Sequence, residues 1–112
     1  MSKSTDKFIE EFMRAFEATA EYLVEIEDIK AKIKIAHQKE YVKNLELNQA
    51  LKKKDMDDVC ERINDLLELN DDIHTLYKEE TTCIRKYYEE IKAAAIASEQ
   101  VIGKPVKTEV IN

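Results

Sequence analysis

Two histidines and nearby carboxylates are the side chains in the middle of this chain whose types and spacing suggest chemistry. His37 and Glu40 are one helical turn apart, and Asp71 precedes His74 by the same interval. Imidazole and carboxylate groups on facing helices are the ligands of carboxylate-bridged metal centres in bundles, which use the order Glu-x-x-His. Here His precedes Glu in one pair, and Asp replaces Glu in the other. The pattern disfavours a metal site, and we expect no metal and no other cofactor.

The same polar residues have a simpler interpretation as determinants of helix register. Asn70 lies at a predicted helix-facing position with His37 and Glu40 opposite, and such a polar residue fixes register and partner number at a cost in stability. Lys30 and Glu80 are expected to face each other and act likewise. If His37 packs beside Glu40, its charge state would make assembly pH-sensitive at about pH 6–7.

The sequence contains little else that an enzyme needs. No nucleophile is accompanied by a base at a suitable spacing, and one glycine leaves little material for a loop that holds a substrate. Cys60 and Cys83 have no Cys or His neighbours at zinc-binding spacing, so we interpret them as free thiols in a reducing compartment. We therefore predict a protein without catalytic activity.

The composition is typical of long helices. Charged residues make up 38% of the chain and hydrophobic residues 44%, with one Gly, one Pro and no Trp. The net charge of −6 argues against a nucleic-acid partner, because phosphate binding requires a basic surface. No segment approaches the ~20 apolar residues of a membrane span, and no apolar signal core begins the chain. We expect an acidic cytoplasmic protein that binds neither nucleic acid nor membrane.

A junction at Lys52–Asp58 separates two helical patterns. Three lysines suit the negative end of one helix, Asp55 suits the N-cap of the next, and Asp57 and Asp58 suit its first turn. On each side, residues at alternating steps of four and three form a predicted seam, the row of side chains that faces the other helix. The first seam is Phe12, Phe16, Thr19, Leu23, Ile26, Lys30, Ile33, His37, Glu40, Asn44, Leu47 and Leu51. The second is Val59, Ile63, Leu66, Asn70, Ile73, Tyr77, Glu80, Ile84, Tyr87, Ile91, Ala94 and Ser98.

The predicted fold is all-α, a long antiparallel helical hairpin with helices at about 5–53 and 56–102. Residues at the same level should have numbers that sum to about 110. Charge supports the reversal, because residues 30–54 carry eight lysines and two glutamates, whereas residues 55–80 carry ten acids and two bases. Residues 1–4 and 103–112 are expected to be tails, since Gly103 suits a helix end and Pro105 prevents continuation. A bend or a short third helix, with a break within 34–41 or at 81–82, is the alternative.

Two helices alone leave an apolar flank exposed, and such a patch usually marks an interface. The predicted interface residues are Tyr22, Ile29, Ala36, Leu67, Leu76 and Tyr88. A second copy would cover this flank and complete a four-helix bundle as a homodimer, or a different helical protein would cover it in a hetero-assembly. We therefore expect a protein-binding module, a small adaptor or chaperone-like subunit. The alternatives are a structural spacer within a larger complex and a metal-binding bundle.

Overall fold

The protein is a helical hairpin. The computed structural model describes residues 3–103, with side chains from residue 5 onward. Helix α1 spans Lys3–Lys53 and helix α2 spans Met56–Ile102, so the predicted all-α hairpin is confirmed, with α1 beginning two residues before its expected start. Neither helix is interrupted at 34–41 or 81–82. The predicted C-terminal tail lies outside the described residues from residue 104 onward.

The turn between the helices is as short as predicted. Lys54 adopts a left-handed conformation with φ of 57°. Its N–H donates to the Leu51 carbonyl at 3.1 Å, and the Asp55 N–H donates to the Ala50 carbonyl at 3.3 Å. This pair of bonds is a Schellman motif, which usually has glycine at the left-handed position. Helix α2 then begins with Asp55 as its N-cap, because the Asp55 Oδ1 accepts a hydrogen bond from the Asp58 N–H at 3.2 Å.

Contacts divide the chain into two compact units. Among the described residues, the terminal unit combines 3–26 with 82–103, and the loop unit contains 27–81. Within each unit, a segment of α1 packs antiparallel to a segment of α2. Phe12 and Ser98 border one groove in the terminal unit, and Ala36 packs with Leu69 in the loop unit. The residue numbers of such pairs sum to about 110, as the antiparallel hairpin requires.

The buried positions of each helix, with the half-buried positions that continue their spacing, form what we call the inner rows, which follow the predicted rhythm of four and three. On α1 they are Phe8, Phe12, Ala15, Thr19, Tyr22, Ile26, Ile29, Ile33, Ala36, Glu40, Lys43, Leu47 and Ala50. On α2 they are Val59, Arg62, Leu66, Leu69, Ile73, Leu76, Glu80, Cys83, Tyr87, Glu90, Ala94 and Ala97. Every second position of each predicted seam belongs to these rows.

The remaining positions of the predicted seams do not face the other helix. Each lies one residue after the inner-row residue that does. They form what we call the outer rows, which are exposed except for a half-buried Ser98. The outer rows are Phe16, Leu23, Lys30, His37, Asn44 and Leu51 on α1, and Ile63, Asn70, Tyr77, Ile84, Ile91 and Ser98 on α2. The inner rows include small residues such as Ala15, Ala36 and Ala50, which allow the helices to approach closely. A pair of helices can bury only the rows that face each other, so the outer rows remain uncovered.

One ion pair joins the two helices of the terminal unit. The Arg14 guanidinium lies 2.6 Å from Glu11 Oε1 on its own helix and 3.0 Å from Glu90 Oε2 on α2. The hydrogen bond from Arg14 lowers the pKa of Glu11, and the bonds to Glu11 and Glu90 raise the pKa of Arg14. Arg14 is half exposed, so the pair adds little stability but favours this antiparallel register.

Two further ion pairs join the helices of the loop unit. Arg62 Nη1 lies 2.7 Å from Glu46 Oε2, and its Nε lies 3.3 Å from Asp58 Oδ1 on the same helix. Lys43 Nζ lies 3.7 Å from Asp65 Oδ2. The lysine-rich end of α1 therefore faces the acidic start of α2, in the direction that the charge distribution predicts.

Candidate protein-binding surface

The outer rows of the terminal unit expose four large apolar side chains. Phe16 and Leu23 on α1 are 59% and 46% exposed, and Ile84 and Ile91 on α2 are 44% and 40% exposed. We call these four residues the terminal apolar face. Their spacing of one heptad on each helix places each pair on a single side of its helix.

A groove at the end of the terminal unit shows that the two outer rows share one side of the helix pair. It encloses about 190 Å³ and is lined by Ile9, Phe12, Ser98, Val101 and Ile102. Ile9 lies one heptad before Phe16, and Ser98 lies one heptad after Ile91, so both continue the outer rows. Because both residues line the same groove, we place the terminal apolar face as one surface formed by both helices.

The residues beside the terminal apolar face are also uncharged. Met13 is 51% exposed and Ala20 is exposed on the α1 border, while Tyr88 and Ala95 are half-buried on the α2 border. The rings of Phe12 and Phe16 stack with centroids 6.2 Å apart, which holds the exposed Phe16 in place. The surface is thus broader than its four central side chains.

The outer rows of the loop unit are mostly polar. Lys30, His37 and Asn44 on α1, with Asn70 on α2, replace the apolar residues found in the terminal unit, and only Leu51 and Ile63 near the turn are apolar and exposed. A shallow depression elsewhere on α1 is lined by Ile35, Gln38, Lys39, Val42, Lys43 and Glu46. Its charged lining makes it a weaker candidate for an apolar partner.

A chain of three hydrogen-bonding groups crosses between the helices of the loop unit. His37 Nε2 lies 2.9 Å from the Tyr77 hydroxyl, and His37 Nδ1 lies 3.3 Å from Glu40 Oε1. The order of carboxylate, imidazole and hydroxyl matches that of an activated nucleophile. However, the Glu40 and His37 side chains are 33% and 45% exposed and Tyr77 is 43% exposed, so water competes for each group. We interpret the chain as a polar link between the helices.

Sequence reasoning missed the partnership of Tyr77 with His37. The predicted levels placed Asn70, Ile73 and His74 opposite His37, whereas Tyr77 lies about one turn further along α2. The available signal was that His37 and Tyr77 occupy equivalent heptad positions, which lie on the same side of an antiparallel helix pair.

The predicted polar core of Lys30, Glu80, His37, Glu40 and Asn70 is not buried. Lys30, His37 and Asn70 are exposed because they belong to the outer rows, while Glu40 and Glu80 are half-buried in the inner rows. Lys30 Nζ lies 3.9 Å from Glu27 Oε1 on its own helix and makes no ion pair with Glu80. No described polar or charged residue is fully buried. The ion pairs at the inner rows are better placed to favour the register.

The prediction of an exposed apolar flank was wrong for most of its residues. Ile29 and Ala36 are only 6% and 7% exposed, and Ala36 packs with Leu69 and Ile73 of α2. Four of the six predicted interface residues belong to the inner rows, because the predicted seams were displaced by one residue at alternate positions; these are Tyr22, Ile29, Ala36 and Leu76. Leu67, 58% exposed, and Tyr88, half-buried, lie beside the outer rows.

The two thiols differ in environment. Cys60 is exposed, whereas Cys83 is buried with its Sγ 3.8 Å from the Tyr22 carbonyl oxygen. Burial raises the pKa of Cys83, and the nearby Glu25 carboxylate raises it further. Cys83 therefore has little thiolate character and packs as a small apolar residue.

Metal-binding and membrane-spanning features are absent from the described part of the chain. Between residues 3 and 103, no group of three or more His, Cys, Asp or Glu side chains is arranged to hold a metal ion. Over the same residues, neither helix has a stretch both long and apolar enough to cross a bilayer. Comparison with protein-family models, curated proteins and solved structures finds no match to this chain.

Proposed function

We propose that this protein is a non-enzymatic helical adaptor, or chaperone-like subunit, that binds a partner protein through the terminal apolar face. The observation that carries the proposal is the exposure of Phe16, Leu23, Ile84 and Ile91 on one side of a helix pair. Contiguous apolar patches of this kind usually mark sites of protein interaction. The free thiols and the acidic composition are compatible with a cytoplasmic location.

The energetics require a partner that covers more than the four central side chains. Fully burying a Leu, Ile or Phe side chain contributes about 1.5–3 kcal/mol, so completing the burial of four half-exposed ones contributes on the order of 4 kcal/mol. Association costs at least about 4 kcal/mol in lost freedom of motion. The partner must therefore also contact the border residues Met13, Ala20 and Tyr88.

A helical partner suits this surface best. The two outer rows run along neighbouring helices, and a third helix packs against such a pair by placing side chains at i, i+3, i+4 and i+7 between the rows. The groove at the end of the terminal unit continues this surface with apolar side chains on both helices. An extended peptide would lack a sheet edge with which to pair.

The test is capture of the partner from the native source by immobilised protein. Wild type is expected to recover one dominant partner, and the double variant Leu23→Glu/Ile84→Glu is expected to lose it, because two charges would be buried. The matched control is Ile35→Glu/Val42→Glu, since these residues are 52% and 50% exposed in the loop unit. Retention of the partner by the face variant would contradict the proposal.

A structural spacer is the second candidate. The observation that favours it is the uninterrupted length of the helices, 51 residues in α1 and 47 in α2. A spacer should tolerate charges on the terminal apolar face but not the removal of one heptad from each helix. Assembly of the native complex with both kinds of variant would distinguish the two functions.

A further inference from the structure

We infer that the terminal apolar face binds a second copy of this chain, forming an antiparallel four-helix arrangement around a two-fold axis parallel to the helices. This inference rests on the proposed function, because it identifies the partner of the same face. Binding of the same surface on both copies requires that the surface be complementary to itself. The terminal unit meets this requirement in size and, at its centre, in charge.

The direction of the axis determines which helices meet. A two-fold axis parallel to the helices lays α1 of one copy on α2 of the other, and these helices run in opposite directions. The rotation does not move residues along the axis. Residues that share a level within one hairpin therefore share it between copies, so their numbers again sum to about 110.

Side-chain size is complementary along the borders of the face. At equal levels, Ala20 of one copy lies opposite Tyr88 of the other, and Met13 lies opposite Ala95. In both pairs a large side chain meets alanine, which is the arrangement that interdigitated packing needs. The alternative two-fold axis, perpendicular to the helices, would place α1 on α1 and lose these pairings.

Charge favours the same arrangement at the centre of the face. The next row outward brings Glu17 opposite Lys92 of the second copy, twice in the dimer. Lys92 already lies over the Tyr88 ring, 5.5 Å from its centroid, on the α2 border of the face. One heptad closer to the end of the unit, Glu10 meets Glu99 with like charge, so the favourable charge pair is confined to the centre of the face.

The exposed area suits a reversible dimer. The four central side chains and their uncharged borders offer on the order of 600 Å² per copy, whereas a standard stable interface buries about 800 Å² per partner. An interface smaller than the standard size gives weak association that depends on protein concentration. We expect a dissociation constant in the micromolar range.

The first experiment is sedimentation equilibrium from about 1 to about 200 µM protein. Wild type is expected to move from the 13.1 kDa chain mass toward twice that mass. Leu23→Glu is expected to raise the dissociation constant more than tenfold. The control is Ile96→Glu, because Ile96 is 50% exposed in the same unit but lies two residues before Ser98, on the far side of α2.

Disulfide trapping tests the axis directly. In a Cys60→Ser/Cys83→Ala background, Ala20→Cys with Tyr88→Cys is expected to give a covalent dimer on oxidation. Within one chain, positions 20 and 88 lie on opposite borders of the face, and the distance between them is too large for an internal disulfide. Met13→Cys with Tyr88→Cys is the control, because its thiols would be offset by one heptad, about 10 Å. Equal trapping of both pairs would overturn the predicted axis.

Different experimental outcomes would contradict the dimer and the adaptor function. A wild-type chain that stays monomeric at about 200 µM overturns the dimer, yet leaves the adaptor standing if a different protein is captured. A dimer that Leu23→Glu does not weaken also overturns this inference. Charge reversal provides a further measure: Glu17→Lys and Lys92→Glu should each weaken the dimer a few-fold, and the double variant should restore it. A double variant as weak as the two single changes combined would contradict the pairing.

Discussion

The two units differ most in the side chains of their outer rows. In the loop unit the buried residues include Ile29, Ile33 and Ile73, while the outer rows are mostly polar. In the described part of the terminal unit the buried residues are Ala15, Ile26, Cys83 and Ala97, while large apolar side chains such as Phe16 remain exposed on the outer rows. The same helical rhythm thus gives one unit whose outer rows are mostly polar and another whose outer rows are mostly apolar and offer a surface to a partner.

This difference separates two roles for hydrophobic side chains. In the loop unit they stabilise the hairpin itself, and interhelical ion pairs favour its direction. In the terminal unit three of the four buried residues are small, which brings the helices together but buries little area, and Ile26 is the exception. The terminal unit should therefore gain stability from association, whereas the loop unit should not.

The largest expected effect is the loss of a buried isoleucine in the loop unit. Ile73→Ala should lower the free energy of unfolding by about 2–5 kcal/mol, because it leaves a cavity in the cluster with Ala36 and Leu69. Ile84→Ala in the terminal unit should cost about 1 kcal/mol or less in the dilute monomer, since this side chain is 44% exposed. Chemical denaturation of both variants measures the difference. Equal losses would contradict the exposed position of Ile84 in the monomer.

The alkylation rate of Cys83 should report the opening of the terminal unit. Its raised pKa and its burial both reduce attack by iodoacetamide at neutral pH, because less thiolate is present and less of it is accessible. We expect native Cys83 to react more than about tenfold slower than in denaturant, which corresponds to an opening free energy above about 1.4 kcal/mol.

Cys60 provides the internal control for that measurement. It is exposed in the loop unit and should react at similar rates in the native and denatured states. Raising the protein concentration should slow Cys83 further and leave Cys60 unchanged if association stabilises the terminal unit. A rate for Cys83 that is independent of concentration would argue against that coupling.

The turn offers a smaller change of opposite sign. Lys54→Gly should raise the free energy of unfolding by about 0.5–1 kcal/mol, because Lys54 adopts the left-handed conformation that glycine tolerates best. Lys52→Gly, in the last turn of α1, should lower it by about 0.5–1 kcal/mol. Thermal unfolding of the two variants would show opposite shifts, and shifts of the same sign would contradict the role assigned to Lys54.

The smallest expected effect concerns the polar link in the loop unit. Tyr77→Phe removes the hydroxyl that lies 2.9 Å from His37 Nε2 and should cost about 0.5 kcal/mol, because both groups are partly exposed. In a His37→Ala background the same change should cost almost nothing. A double-mutant cycle by chemical denaturation measures this coupling, and an equal cost in both backgrounds would show that the bond contributes nothing.

The sequence was sufficient to predict the helices, the turn and the direction of packing. The turn at Lys54 and Asp55 was predictable because capping and charge preferences are local. The rows that face each other could not be predicted from the sequence, because Phe16 and Leu23 are more hydrophobic than the inner-row residues Ala15 and Tyr22. Hydrophobicity identifies a broad stripe, whereas close helix approach selects which part of that stripe is buried.

The candidate surface was predictable in kind but not in its residues. An apolar surplus beyond one seam predicted an exposed flank, and the structure has one. The residues of this flank depend on which rows face the other helix. An error of one residue in those rows therefore placed Ile29 and Ala36 on the surface and Leu23 and Ile84 in the interior. Small residues repeating at one heptad position, together with the opposite charges of Arg14 and Glu90, were the signals for the correct choice.

Both ends of the described chain, at Lys3 and Gly103, belong to the terminal unit. A bulky label attached at Lys3 or Gly103 would therefore lie in the same unit as the surface proposed to bind the partner, and it would obstruct that surface. A small maleimide dye on Cys60, exposed in the loop unit, is the safer handle for imaging or immobilisation.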